Sequence, residues 1–544
     1  MFASRMPDEY WCTQANRLDW FSPWQKLQVV DNGGPRQRWF VGGITNLCHN
    51  ALDRHIAQFG DKTAIIHIAA DGAESRVSYR ELMARVLMVT QALLQRGVKR
   101  GDRVMICLPV GAQAVAAMLA CARLGAIHVV VTAMSTATGL RQRIAACDPQ
   151  VLLCHAATVR LCQESATASL LLMLTETLAD SEWRPCEPMP ADAPSHILFT
   201  SGTTGTPKGI VRDTGGYAVA LLASLDSLFQ FGQDDVFFTT ADIGWVTGHS
   251  YGVYAPLLAG ATTVFMTPSA YNAPGQRWWT LLNKLGVTHL LTIPGAMRLA
   301  RQQGAPQVAL PQLRGLFLAG EPLDVPTSAG LLQQGLPVKN HYWQTESGWP
   351  LLAGEGTHLL PVRPRQLEVR DENTGLRCEP GEAGMLVVRD TLGPGGMLTL
   401  WREDIDHDQR YWRYEAGSWL YVTHDRAVQF DDGSMQLLGR MDDVINVGGK
   451  RLSTVEIEQA VQDLDEVIEV VAVRLPHAVL GEIPGLYVVI EIKGINNLKK
   501  IKKRLISRVQ ERCGRYALVR RVWFVSAIPK TFSGKALRRE MAGQ

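Results

Sequence analysis

The chain has 544 residues, too many for one ordinary domain, so two or more cores are expected. Hydrophobic residues make up 46% and charged residues 20%, a globular balance, and a net charge of +3 gives no overall field that would draw the chain to nucleic acid or a membrane. Ten cysteines are scattered without a CxxC pair, which argues against a disulfide scaffold or zinc site and fits a reducing cytoplasm.

Residues 1–24 are polar, broken by Asp8, Glu9, Arg17 and Asp19, and hold no apolar core of the kind that directs secretion. Trp11, Trp20, Trp24 and Trp39 suggest an arm pinned to a body by aromatic anchors. From Asn46 onward strands and helices alternate. A strand is expected at 63–69, then a helix over 79–94 capped by Ser78, a turn at 97–102 and a buried strand at 103–108. A helix over 112–124 ends at Gly125, and a strand follows at 127–131. The apolar stretch 114–131 contains Arg123, Gly125 and His128, so it reads as this buried helix and strand rather than a membrane span. Further strands are expected near 151–154, 197–200, 236–240, 261–266, 289–292 and 316–318. Such alternation implies parallel sheets covered by helices, with ligands at the carboxyl ends of strands. After about residue 369 the pattern shifts to short strands (385–389, 419–422, 435–438), and beyond 439–443 lies a compact α/β unit. The basic stretch 493–521 suits a solvated helix face or a contact surface for a phosphorylated partner.

Residues 197–209 read Ile-Leu-Phe-Thr-Ser-Gly-Thr-Thr-Gly-Thr-Pro-Lys-Gly. Gly202, Gly205 and Gly209 let backbone N–H groups close on an anion. Ser201, Thr203, Thr204 and Thr206 add hydroxyl donors, and Lys208 adds a point charge. A flexible Ser/Thr/Gly surface loop has a similar composition, but the strand running straight into this one favours a phosphate clamp. It is not a Walker A loop: Pro207 stands where that motif has its second glycine, and Gly209 follows the lysine.

This segment resembles the signature loop of the adenylate-forming superfamily of acyl-CoA synthetases, luciferases and peptide-synthetase adenylation domains, and the likeness extends over essentially the whole chain. It implies an α/β fold: a large N-terminal domain (1–439) of two helix-covered sheets plus a small β-rich subdomain, and a small mobile C-terminal α+β domain (440–544) hinged at Asp442. It implies ATP, Mg²⁺ and, as a substrate, CoA. Nucleotide contacts carry over to Thr200, Ser201, Gly202, Thr203, Thr204 and Gly205 of the clamp. Gly320, Glu321 and Pro322 resemble the adenine-side loop. Asn340-His341-Tyr342-Trp343-Gln344-Thr345-Glu346 resembles the Trp-Gln-Thr-Glu motif, which gives Asn340, Trp343 and Gln344 nucleotide contacts, Thr345 a phosphate contact and Glu346 the metal. Tyr421-Val422-Thr423-His424-Asp425 is similar to the Thr-Gly-Asp block, with His424 in the glycine place and Asp425 accepting ribose hydroxyls. Arg440 also meets the ribose in that likeness, Asp443 is structural, and Arg451 supports the nucleotide site. Pro529-Lys530-Thr531-Phe532-Ser533-Gly534-Lys535 is close to the motif of the adenylation lysine. Lys535 could be one basic tail residue among Lys530, Arg538 and Arg539, but the glycine before it favours catalysis, with Lys208 and Thr345 as partners. Acetylation would erase its charge, which implies a lysine acetyltransferase and deacetylase as regulators.

The loop at 239–249 resembles the acyl-pocket loop of short-chain acyl-CoA synthetases. Trp245, Val246, Thr247, Ala319 and Trp343 would line the pocket, and Asp242 would be structural. Trp343 closes the floor against long chains, and Ala319, where valine is usual in acetate enzymes, leaves room for one more methylene. Propionate is therefore expected ahead of acetate. The stretches 38–50 and 212–217 look like the propionate branch. The implied reaction is carboxylate and Mg·ATP to acyl-AMP and pyrophosphate, then acyl transfer to CoA. Two departures lie on the CoA side: Thr132-Ala133-Met134-Ser135 replaces Phe-Gly-Gly-Phe, and 151–193 lacks a glycine–arginine segment that grips CoA. These departures keep open the loading of a phosphopantetheine carrier protein, with 493–521 facing an acidic carrier. A non-enzymatic nucleotide sensor is disfavoured because Lys535 and Glu346 are both present.

Overall fold

The computed structural model describes residues 6–30, 34–133, 135–174, 182–200, 207–267, 276–302, 310–402, 410–415, 417–447, 450–478, 480–490, 498–514, 517–530 and 536–542. Among them, one seven-stranded sheet runs in the order Thr399–Leu400, Lys208–Asp213, Pro194–Thr200, Ile127–Val130, Arg103–Cys107, Val151–Cys154 and Leu171–Met173. A nine-stranded sheet has Gly315–Leu318 at its centre. On one side lie Val338–Tyr342, Leu352–Gly354 and Leu360–Pro361; on the other lie His289–Thr292, Val236–Thr239, Thr262–Met266, Thr63–Ile68 and Glu74–Ser78. The central strands of each sheet, such as Arg103–Cys107 with Ile127–Val130 and Val236–Thr239 with Thr262–Met266, pair in parallel and are almost wholly apolar, as strands covered on both faces must be.

The helices between these strands follow local rules. Tyr79–Gln95 begins at a capping box in which Ser78 and Glu81 satisfy each other's backbone N–H groups. Ala112–Leu124 stops at Gly125, whose φ of 68° a side chain would strain, and where a Cβ would lie 2.5 Å from the Met189 sulfur. This helix and Gly215–Ser224 contribute to one buried cluster shared with strands of both sheets. The aromatic arm belongs to it too: Trp11 is 2% exposed and packs edge-on to Trp349 at 5.6 Å.

A five-stranded antiparallel sheet follows: Leu367–Arg370, Ala383–Arg389, Ser418–Gln429, Trp412–Glu415 and Met435–Arg440. The expected strand at 419–422 is the start of the much longer Ser418–Gln429. The C-terminal unit has its own mixed sheet, built around the antiparallel pair Val467–His477 and Gly481–Ile490 with Arg521–Phe524 added in parallel, and its own core under helices Thr454–Gln462 and Leu498–Cys513. The basic stretch is largely that second helix. Ile501, Leu505 and Val509 face the core, while Arg504, Arg508 and Arg512 pair with Glu466 and Asp463. The chain thus consists of a large N-terminal α/β part and a small C-terminal part. No helix among the described residues is long and apolar enough to cross a membrane.

The clamp residues 201–206 follow strand Pro194–Thr200 in the chain and lie outside the described residues. The return, however, is a hairpin and not a helical crossover: Thr200 pairs antiparallel with Lys208, which places the lysine inside the second strand.

Candidate active site

A cavity of about 320 Å³ opens beside the carboxyl ends of Gly315–Leu318 and Val338–Tyr342. Segments 320–324 and 340–344, Asp425 and Arg440 line one side, and Glu458, Lys530 and Arg538 of the C-terminal unit line the other. Gly320, at φ 91°, lets the chain leave its strand toward this space. Glu321 turns its carboxylate to the Gly295 N–H and to Arg298 at 3.0 Å, and Arg298 also reaches Asp324 at 2.9 Å. Burial alone would lower the pKa of Arg298, but the two carboxylates raise it on balance. Glu321 is therefore tied into an ion-pair cluster that braces the loop. Asn340 likewise spends its amide on the Gly356 carbonyl, 2.8 Å away.

Asp425 is the hub of the floor. Strand pairing sets it opposite Arg440, and its Oδ1 lies 3.8 Å from the guanidinium Nε. Its Oδ2 accepts from the Tyr342 hydroxyl and from Gln344 Nε2 at 2.5 Å. Gln344 also donates to the Thr423 carbonyl at 2.7 Å and accepts from the Tyr421 hydroxyl at 2.9 Å. Burial, reinforced by Asp425, pushes the Tyr342 hydroxyl well above its ordinary pKa; burial and Glu346 do the same for Tyr421, so both remain neutral donors. His424 sits at φ 58°, the left-handed region, which explains why glycine suits this place in the Thr-Gly-Asp pattern. Its ring is held by the Arg410 carbonyl at 3.0 Å.

Thr345 and Glu346 follow on a loop clasped from behind by two buried arginines. Arg212 donates to the Glu346 carbonyl at 3.2 Å, and Arg365 donates to the Ser347 and Trp349 carbonyls at 3.0 and 3.2 Å. Burial lowers their pKa values to about 10 and about 9. The Glu346 Oε1 accepts from the Tyr411 hydroxyl at 2.9 Å. Oε2 has no hydrogen-bond partner among the described residues. The Lys208 ammonium, 8% exposed, lies 6.0 Å above the Tyr411 ring. A hard carboxylate oxygen with a free lone pair, next to a lysine at the clamp strand, fits a divalent cation of the magnesium type together with phosphate.

On the acyl side, Trp343 meets Tyr251 edge-on at 5.4 Å, and Tyr251 is anchored by its hydroxyl to Ser224 at 3.0 Å. Trp245, Val246 and Thr247 are half-buried on the preceding loop, and Ala319 is buried. Asp242 accepts from the Gly244 N–H at 2.7 Å and from the Thr132 hydroxyl at 3.1 Å, bonds that tie the segment at 132 to the loop at 239–249. Behind it lie His128, His196 and His249, close enough together to suggest a metal site. Their geometry excludes chelation. The His128 and His249 Nε2 atoms are 3.0 Å apart with ring centroids 5.2 Å apart and nearly coplanar, so the nitrogens meet head-on in an N–H···N bond with no room for an ion between them. Tyr254 and Tyr217 close the chain at 3.1 and 3.0 Å.

Residues Ser201, Gly202, Thr203, Thr204, Gly205 and Lys535, and the side chains of Asp442 and Arg451, lie outside the described residues. Ala536, next to Lys535 in the chain, lines the cavity. Asp443 faces Arg538 at 3.6 Å, a structural pairing. Sequence reasoning missed Tyr411, Tyr421, Arg298 and Arg365, and treated Arg212 only as part of a branch likeness. Two of these sit beside readable motifs: Tyr421 opens the Asp425 block, and Arg212 follows the clamp strand.

The AMP-binding enzyme family matches residues 52–401, its C-terminal domain matches 456–535, and the acetyl-coenzyme A synthetase N-terminus matches 2–51. A propionate–CoA ligase of Salmonella typhimurium is 36% identical over 98% of this chain and 93% of its own length. Acetyl-coenzyme A synthetase 2 of Pseudomonas putida is 34% identical over 98% and 89%. The anthranilate CoA ligase AuaEII, solved with anthranoyl-AMP, shares the fold with a TM-score of 0.80 at 20% identity, over 92% of this chain and 97% of that one. With that breadth of match, and with a cavity at the strand ends where its motifs meet, the chain belongs to the AMP-binding enzyme family.

Proposed function

We propose that this protein is an AMP-forming acid–thiol ligase, which activates a short-chain carboxylate with ATP to acyl-AMP and passes the acyl group to CoA. Propionate is the favoured acid and acetate a second substrate. The observation that carries this reading is that Asp425 and Arg440 line one cavity with segments 320–324 and 340–344, while Glu346 and Lys208 meet on Tyr411, in a chain similar to propionate–CoA ligases over nearly its full length. Asp425 and Arg440 hold the ribose hydroxyls. Gly320 and Pro322 flank the adenine, with Glu321 bracing them through Arg298. Thr200, Lys208 and the 201–205 loop receive the phosphates, with Thr345 opposite them. Magnesium, held by Glu346, would supply charge neutralisation at the α-phosphate. Trp343, backed by Tyr251, limits acyl length. The residues 440–544 form the mobile domain, and rotation at Asp442 exchanges Lys535 for the CoA thiol between half-reactions. The cytoplasm is the proposed location.

The test is direct. Purified protein is incubated with propionate or acetate and Mg·ATP, with and without CoA, and products are identified by mass. Propionyl-CoA formed at a catalytic rate, faster than acetyl-CoA, is the expected result. Propionyl-AMP that CoA does not drain would mean that the acceptor is a carrier-bound thiol and would overturn the CoA step.

A further inference from the structure

One buried group beside Glu346 has no place in the roles above: the phenol of Tyr411. It comes from the segment just before strand Trp412–Glu415, far in sequence from both of its active-site neighbours. The residue is 5% exposed. Its hydroxyl donates to Glu346 Oε1 at 2.9 Å, and the face of its ring lies under the Lys208 ammonium at 6.0 Å. The ring itself is fixed. It stacks on Tyr421 at 6.0 Å with the planes 9° apart, and it meets His424 edge-on, also at 6.0 Å.

We infer that Tyr411 is a positioning residue that ties the two sides of the phosphate site together: its hydroxyl fixes the Glu346 carboxylate with one oxygen turned free for a divalent cation, and its ring holds the Lys208 ammonium in register with that cation. This rests on the reading of Glu346 as the metal ligand. The physical logic is one of rotational freedom. A glutamate has several soft torsions, and a carboxylate that must meet a metal and a phosphate at once gains from having one oxygen pinned by a neutral donor. Lysine is a flexible point charge, and an aromatic face under its ammonium restricts it without neutralising it. A carboxylate partner could not do both, because it would pair with Lys208 and repel Glu346. His424 then acquires a reason to occupy a left-handed position that glycine fills more easily: its ring is the edge against which Tyr411 rests.

The experiment uses the full chain with Mn²⁺ as a paramagnetic probe and a non-hydrolysable ATP analogue, reading bound Mn²⁺ by electron paramagnetic resonance. Tyr411→Phe removes one oxygen and is expected to weaken Mn²⁺ binding about tenfold while leaving the KM for propionate unchanged. Tyr411→Trp keeps an aromatic face without a donor at that place; it carries the same expectation should the phenylalanine variant fail to fold. Glu346→Gln tests the underlying reading and is expected to weaken Mn²⁺ binding further. The double variant Tyr411→Phe/Glu346→Gln is expected to bind no more weakly than Glu346→Gln alone, because the tyrosine acts through the glutamate. Unchanged Mn²⁺ affinity in the Tyr411 variants, or full additivity in the double variant, would overturn the inference while Glu346 stands. Unchanged affinity in Glu346→Gln would overturn both. Tyr421→Phe is the control for a lost buried hydroxyl in the same stack: its hydroxyl serves Gln344, so its expected effect is on the nucleotide analogue and not on Mn²⁺.

Discussion

Two buried polar clusters flank the substrate region, and they are built differently. Behind the acyl loop, His128, His196 and His249 with Tyr217 and Tyr254 form a neutral set whose hydrogen bonds run mostly among its own members. Under the nucleotide cavity, Asp425, Gln344, Tyr342 and Tyr421 form a set that carries net negative charge and opens on the cavity. The first cluster is buried throughout and shapes a wall, with His128 Nδ1 and His196 Nε2 left without a hydrogen-bond partner among the described residues. The second sets the Asp425 carboxylate, held by Tyr342, Gln344 and Arg440, in the lining of the cavity. Density of polar groups alone does not mark chemistry; what marks it is whether those groups reach a cavity.

That contrast can be broken in graded steps. Asp425→Ala removes the hub and takes the carboxylate acceptor away from the Tyr342 hydroxyl and the Gln344 amide. A loss of roughly a hundredfold in kcat/KM for ATP is expected, with the KM for propionate little changed; steady-state kinetics with each substrate varied checks it. Trp343→Gly opens the pocket floor against Tyr251. The expected gain is about tenfold in kcat/KM for butyrate or valerate relative to propionate, whereas Ala319→Val moves the ratio toward acetate by a smaller factor.

The histidine cluster gives a pH signature instead. Burial lowers the pKa of His128 to about 3, against 6.5 when exposed. Between those values the unfolded chain binds a proton that the folded chain refuses. Stability therefore rises with pH through this window and is lost as pH falls below about 6.5. His128→Gln is expected to flatten the slope of unfolding free energy by about 1.4 kcal/mol per pH unit, read from denaturant melts at several pH values, with no change in the KM for ATP. The smallest effect belongs to His424→Gly. It relieves a strained backbone but frees the Tyr411 edge, so thermal stability is expected to shift by about 1 kcal/mol or less while adenylation slows a few-fold.

Much of the scaffold was legible because it follows local rules. The helix Ala112–Leu124 and its Gly125 stop, and the strands Val151–Cys154 and His289–Thr292, appear where periodicity and punctuation put them. The site's motif residues were legible through short ordered strings such as 340–346 and 421–425. What was not legible was tertiary. Tyr411 and Arg365 sit in no motif, and they reach Glu346 and its loop only because the antiparallel sheet brings 365–425 back over it. The return of the clamp as a hairpin was missed for a related reason: an apolar strand looks the same whether its neighbour runs with it or against it. Glu321 reads as a ligand contact in sequence, and only the fold shows its carboxylate engaged with Arg298.

The aromatic arm has a practical bearing on how the enzyme can be handled. Trp11 presses on Trp349, whose other partner is the Arg365 guanidinium at 4.3 Å from the ring, the same arginine that grips the Ser347 carbonyl one residue beyond Glu346. A shortened version designed to begin at residue 52, where the main family match starts, would strip the backing from the loop that carries Glu346. Tags and fusion partners at the amino end therefore need a spacer long enough to leave Trp11 seated, and surface immobilisation through that end would be felt at the phosphate site.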